Sequence, residues 1–312
     1  MRALATNAMR LPALAAAAAL AFPAAALEVS YQYSLSTTTG VIPFAGVRLG
    51  VDAQHEEVFV VGDGQVRIFN QGGMEIFAFE DDGEMGVPAG VVALDDGDLM
   101  VLAYSAGTPS LVRCDFRGEP VGKVQLQGIP ADFAAGFLPG AIATTGTRLF
   151  LADKGAMKVL VLEADGTYVA SFDVAKVLDV TDKRGDYGIR GFNVDKDGNV
   201  LFTVQPLFKA YVLSPAGVLR GFGDRGSAPG KFNVVGGIAR DDQGYLYVTD
   251  ILKSAVLVFD PDLRFVKEFG YRGSRPSNLA APVDVVTAGG RIYVAQNARR
   301  GVSVFKVSTE PN

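Results

Sequence analysis

Cysteine, histidine and tryptophan are close to absent from this chain: among 312 residues there is one Cys, one His and no Trp. A lone cysteine, Cys114, excludes an intrachain disulfide. One histidine, His55, and one cysteine cannot together supply the N and S donors of a zinc centre. No Cys-x-x-Cys-His run is present to attach haem, and there is neither a Walker-type phosphate loop nor a Ser nucleophile elbow. Positive charge is the minority sign, with 29 Lys and Arg against 34 Asp and Glu and a formal net charge of −5. That balance argues against a nucleic-acid partner.

Long apolar runs are also lacking, apart from one near the N-terminus. Arg2 and Arg10 give a positive start, Leu11 to Phe22 is apolar, and Ala24-Ala25-Ala26 offers a small-residue cleavage site. Twelve residues of helix reach only about 18 Å, too short for a bilayer. Residues 1–26 are therefore expected to be a secretory signal peptide. Cleavage there would leave 27–312 as a single domain with no membrane span. Removing Arg2 and Arg10 from the 29 basic residues leaves 27 against 34 acidic ones, a net of −7. The expected location is periplasmic or secreted.

What the chain has is a repeat. Val66–Phe69, Leu111–Cys114, Val159–Leu162, Ala210–Leu213, Val256–Phe259 and Val302–Phe305 are six short apolar segments spaced 45 to 51 residues apart. A period in the forties built of strands and turns is the signature of propeller blades. Cys114 occupies a place held elsewhere by Phe or Leu, so it is read as a buried small hydrophobe. The fifth repeat is the clearest. Gly236–Arg240 is a strand, Asp241–Gly244 a turn, Tyr245–Asp250 a second strand, Val256–Phe259 a third and Arg264–Gly270 a fourth. Blades are expected at about 43–86, 87–136, 137–188, 189–232, 233–279 and 280–307. The sixth repeat stops after three strands. Glu28 to Leu35 alternates like a strand and is expected to pair into the last blade, closing the ring and hiding its edges.

The fifth repeat resembles an NHL repeat. Gly237-Ile238-Ala239, the Asp242-x-Gly244 turn, Leu246–Asp250, Val256–Asp260 and Phe265–Gly270 carry the pattern, and Gly223–Phe232 resembles a link between NHL blades. The likeness is clearest from about residue 189 onward. It implies an all-β, six-bladed β-propeller of four-stranded blades, agreeing with the independent count. The family is broad. Some members bind proteins or RNA, some belong to bacterial envelope assemblies, and one branch is a lyase whose zinc is held by several histidines that this chain lacks.

Two functional readings follow. In the first, the protein is a non-enzymatic binding scaffold with no cofactor. Its partner is another envelope or extracellular protein, or an anionic ligand. Loops after second strands and loops entering the next blade share one propeller face. There, blades 4 to 6 concentrate Lys and Arg, while the opposite turns carry Asp195, Asp197, Asp241, Asp242, Asp260 and Asp262. Phe133, Phe208 and Leu252 are read as apolar anchors on the loop face, with Lys209, Arg225, Arg272 and Arg299 as charge partners. In the second reading, the chain resembles lactonase-type propellers, metal-dependent hydrolases holding a divalent cation such as Ca²⁺ through oxygen ligands. Asp63, Asp153 and Asp250 would then be ligands, with Gln205 and Gln296 at equivalent places. Set against this, Asp at that place belongs to the repeat, where it can accept loop N–H bonds.

Overall fold

Each apolar segment singled out above is the third strand of a four-stranded antiparallel sheet. The structure is a computed structural model describing residues 27–41, 47–81, 83–297 and 300–308. The expected signal peptide and Arg299 lie outside the described residues. Blade 1 comprises Arg48–Asp52, Glu57–Gly62, Gln65–Phe69 and Glu75–Glu80. Blade 2 comprises Val87–Ala93, Leu99–Ser105, Thr108–Cys114 and Pro120–Val124. Blade 3 comprises Ala141–Thr144, Arg148–Asp153, Lys158–Glu163 and Tyr168–Asp173. Blade 4 comprises Phe192–Val194, Val200–Val204, Lys209–Leu213 and Leu219–Phe222. Blade 5 comprises Val235–Arg240, Leu246–Asp250, Ala255–Phe259 and Phe265–Gly270.

Blade 6 takes three strands from the end of the chain, Pro282–Ala288, Arg291–Gln296 and Val302–Ser308, and its fourth from the beginning. That strand, Glu28–Ser34, runs antiparallel to Val302–Ser308 with Glu28 opposite Ser308 and Ser34 opposite Ser303. Leu27 is buried beside it, and the Lys267 ammonium donates to the Leu27 carbonyl at 2.8 Å. The expected six-bladed ring closed by the N-terminal strand is thus the observed one.

The core is divided. Among the described residues, buried side chains form six clusters, one between each pair of adjacent blades. Strand periodicity makes this division. Val58 and Val60 face blade 6, while Phe59 and Val61, on the other side of the same strand, face blade 2. A middle strand packed on both sides must be apolar at nearly every position, and Ala255–Phe259 is buried throughout. The outer strand Phe265–Gly270 has no fully buried residue. Cys114 is buried in the layer between blades 1 and 2. Around the axis the inner strands come into backbone contact: a Cβ on Gly191 would sit 2.3 Å from the Gly236 carbonyl oxygen. Thr203 Oγ1 bridges the same two strands, accepting from Gly191 N at 2.8 Å and donating to Gly236 O at 2.6 Å.

Candidate functional site: two unlike ends of the propeller axis

Loops on the loop-rich face are held by side chains that end second strands. Asp250 accepts from the N–H groups of Asn233 at 2.6 Å and Lys253 at 2.9 Å. Asp153 accepts from Leu138 and Ala156, both at 2.8 Å. Gln296 does the same for Ala280 at 2.7 Å, while its amide N–H donates to Ser303 at 2.8 Å. The two carboxylates and the Gln296 amide are clamps for loop backbone, the role that the repeat pattern suggests. Asp63 does not end a strand: it is exposed in the two-residue turn after Gly62, at φ 53°. Gln205 is exposed in a short 3₁₀ turn. Among the described residues, no three His, Cys, Asp or Glu side chains come together as a metal-ion site.

The proposed anchors fare unequally. Phe133 is only 9% exposed and belongs to the layer between blades 2 and 3, its ring centroid 5.7 Å from that of Phe137 and the Lys158 ammonium 4.8 Å away. The expectation of an exposed anchor is corrected there. The loop between blades 2 and 3 forms a one-turn helix, Ala131–Ala134, that turns Phe133 inward. Phe208 is half-buried, in a left-handed backbone at φ 53°, with the Arg225 guanidinium 5.0 Å over its ring. Leu252 is 69% exposed. These two remain at the surface.

Charge on this face also sorts itself. Lys253 is internally paired to Glu268 at 3.0 Å, Arg184 forks onto Asp173 at 2.8 and 2.9 Å, and Lys209 stands 3.9 Å from Asp224. Lys183, Arg190, Lys231, Arg272 and Arg275 are exposed and form no ion pair with another described residue.

At the axis the loop face gathers a group that the sequence reading did not assemble. Lys154 follows Asp153 in the blade 3 loop, Arg190 precedes the inner strand of blade 4, Arg48 opens that of blade 1, and Asp284 lies in that of blade 6. Backbone contacts set the arrangement. Ile189 N–H donates to the Lys154 carbonyl at 2.8 Å, which fixes Arg190 beside Lys154. Leu49 N–H donates to Asp284 Oδ2 at 3.0 Å, which fixes Arg48 beside Asp284. Burial, reinforced by Arg48 and Arg190 and opposed by Asp284, pulls the Lys154 amine down to about 8. Burial pushes the Asp284 carboxyl up, against the pull of Arg48, Lys154 and two backbone N–H groups. No repeat position marks these residues, and of the three cations only Arg190 belongs to blades 4 to 6, where the sequence concentrates Lys and Arg on this face.

The opposite end of the axis is built differently. A cavity of about 360 Å³ is lined by the first turns of all six blades, including Asp52, Asp95, Asp195 and Asp241. Most of its carboxylates are already satisfied. Asp195 takes the Arg240 guanidinium at 2.7 Å and the Asn199 amide at 2.9 Å. Asp241 accepts from Tyr247 OH at 2.7 Å. Asp52 holds His55 Nδ1 at 2.7 Å, which raises that imidazole above its usual value.

The fold is that of a six-bladed β-propeller, and comparison with solved structures agrees. A structural genomics protein of unknown function from Bacteroides thetaiotaomicron superposes with a TM-score of 0.62 at 14% identity, covering 90% of this chain and 76% of that one. Virginiamycin B lyase from Staphylococcus aureus gives 0.56 at 13% identity, covering 86% and 83%. A chain of a nidogen/laminin complex gives 0.52 at 18% identity, covering 80% and 86%. At such identities the likeness shows the fold alone. No known sequence family matches the chain. No curated protein matches it either.

Proposed function

We propose that this protein is an exported, NHL-like propeller that acts as a non-enzymatic scaffold in an envelope assembly, holding a protein partner or an anionic ligand on its loop-rich face. The observation that carries the reading is the contrast between the two ends of the axis. At the turn-side mouth Asp52, Asp195 and Asp241 accept hydrogen bonds from their own neighbours, whereas the loop side keeps exposed cations without ion pairs, Lys231 and Arg272 among them, on the face that also carries exposed Leu252 and half-buried Phe208. Unpaired charge beside accessible apolar surface suits recognition of an acidic partner. The nidogen likeness is to a propeller solved in a protein complex, which fits a docking role. The lyase likeness does not bring histidine chemistry with it, because the single histidine here is bound to Asp52 in a turn-side loop. The lactonase reading is the less favoured one, since Asp153 and Asp250 accept loop N–H groups and Asp63 is exposed in a turn.

The test is crosslinking and affinity capture of the tagged mature protein from its native envelope fraction. One reproducible partner is expected, released by salt and lost when Arg225→Glu and Arg272→Glu are combined with Leu252→Ser. Capture that survives all three changes removes the loop face from the proposal; no partner at all removes the docking role.

A further inference from the structure

We infer that the loop-face end of the propeller axis is a binding site for a phosphate group, free or as the monoester of a small molecule, held between Arg48, Lys154 and Arg190. The inference rests on the reading of the loop face as the binding face and narrows it to one ligand chemistry. Three cations from blades 1, 3 and 4 and one carboxylate from blade 6 stand at the same end of the axis, near enough for Arg48, Arg190 and Asp284 to act on Lys154 through their charge. None of the three forms an ion pair or a side-chain hydrogen bond with a described residue, although Arg113, Arg184 and Arg240 elsewhere all do. Like charges brought together and partly shielded from water are unfavourable unless something negative completes the set.

The carboxylate present does not complete it. Asp284 answers for one of the three charges, and its oxygens already accept from Leu49 and Val285 N–H. Two positive charges remain, which matches a dianion. Two guanidinium forks and an ammonium are the donor set that phosphate oxygens use well. The Lys154 amine, near 8 when the site is empty, gives the site a signature: an incoming dianion favours the ammonium form, so binding draws a proton from solution. Arg48, Arg190 and Asp284 are the charged groups that act on Lys154; burial pushes the Asp284 carboxyl up, so the Lys154→Arg variant is what assigns the proton taken up to Lys154.

The experiment is calorimetric titration of inorganic phosphate, and separately of glycerol phosphate, into the mature protein at pH about 8 in two buffers of different ionisation enthalpy. Expected are saturable binding, proton uptake, and affinity that falls as pH rises above about 8. Lys154→Met and Arg48→Gln should each weaken binding about tenfold or more. Lys154→Arg should keep binding and abolish the proton uptake. Equal affinity for the two probes assigns the site to esters as well as the free ion; binding of inorganic phosphate alone assigns it to the ion. No saturation by about 10 mM, or binding that ignores Lys154→Met and moves no proton, overturns the inference. Arg225→Glu with Arg272→Glu should leave phosphate binding intact. Failure of partner capture and failure of the axial site are therefore read from different variants.

Discussion

Lys154 works against the stability of its own fold. An unfolded lysine titrates near 10.4, whereas this one is pulled down to about 8. Between those values the unfolded chain holds more protons than the folded one, so stability rises with pH across that window; below about 8 the penalty is fully present. Lys154→Met should therefore stabilise the protein by about 1–3 kcal/mol at neutral pH, after allowing for residual exposure. Denaturant unfolding measures this, and a loss of stability would mean that the ammonium has a favourable partner. Asp250→Ala should do the opposite, costing about 2–4 kcal/mol by stranding the N–H groups of Asn233 and Lys253. Gly237→Ala should cost about 1–3 kcal/mol, because its Cβ would lie 2.7 Å from the Asp284 Cα and push that strand off the axis. The same unfolding curves test both.

At the scale of elements, the closing strand carries the sharpest expectation. Glu28–Ser34 supplies the outer edge of blade 6, and Leu27 and Leu35 on either side of it are buried. Deleting residues 27–36 should lower the melting temperature of the whole ring in one cooperative transition, since an opened ring exposes the layers on both sides of blade 6. An unchanged melting temperature would show the strand to be an appendage. The legibility of the elements follows from packing. Third strands stand out in the sequence because both of their faces are buried. Fourth strands are half-exposed and carry a weaker pattern, and inner strands vary in length from three to seven residues, with glycine in those of blades 1, 2 and 5. Loops were the least legible. Phe133 and Leu252 look alike in the sequence, yet a single helical turn buries the first, while the tight loop after Asp250 leaves the second outside.

For the whole molecule, an acidic protein carrying a net charge of −5 presents on its loop face exposed basic groups that form no ion pair with a described residue, among them Lys183, Lys231, Arg272 and Arg275. Partner capture should accordingly weaken with salt, because the Debye length falls from about 10 Å at 0.1 M to about 3 Å at 1 M. Phosphate binding at the partly shielded axis should be less sensitive than capture at the exposed rim, and parallel salt titrations compare them directly.

The sequence by itself determined the six blades, their four-strand order, the closing strand and the lack of an intrachain disulfide. Those follow from local periodicity and composition, which are properties of the linear chain. Tertiary structure alone decided which charges are spent and which are left. Lys253 and Arg184 look as available as Arg272 until folding brings Glu268 and Asp173 against them. Arg48, Lys154, Arg190 and Asp284 lie far apart in the chain, and only ring closure, which sets the blades around one axis, brings them together.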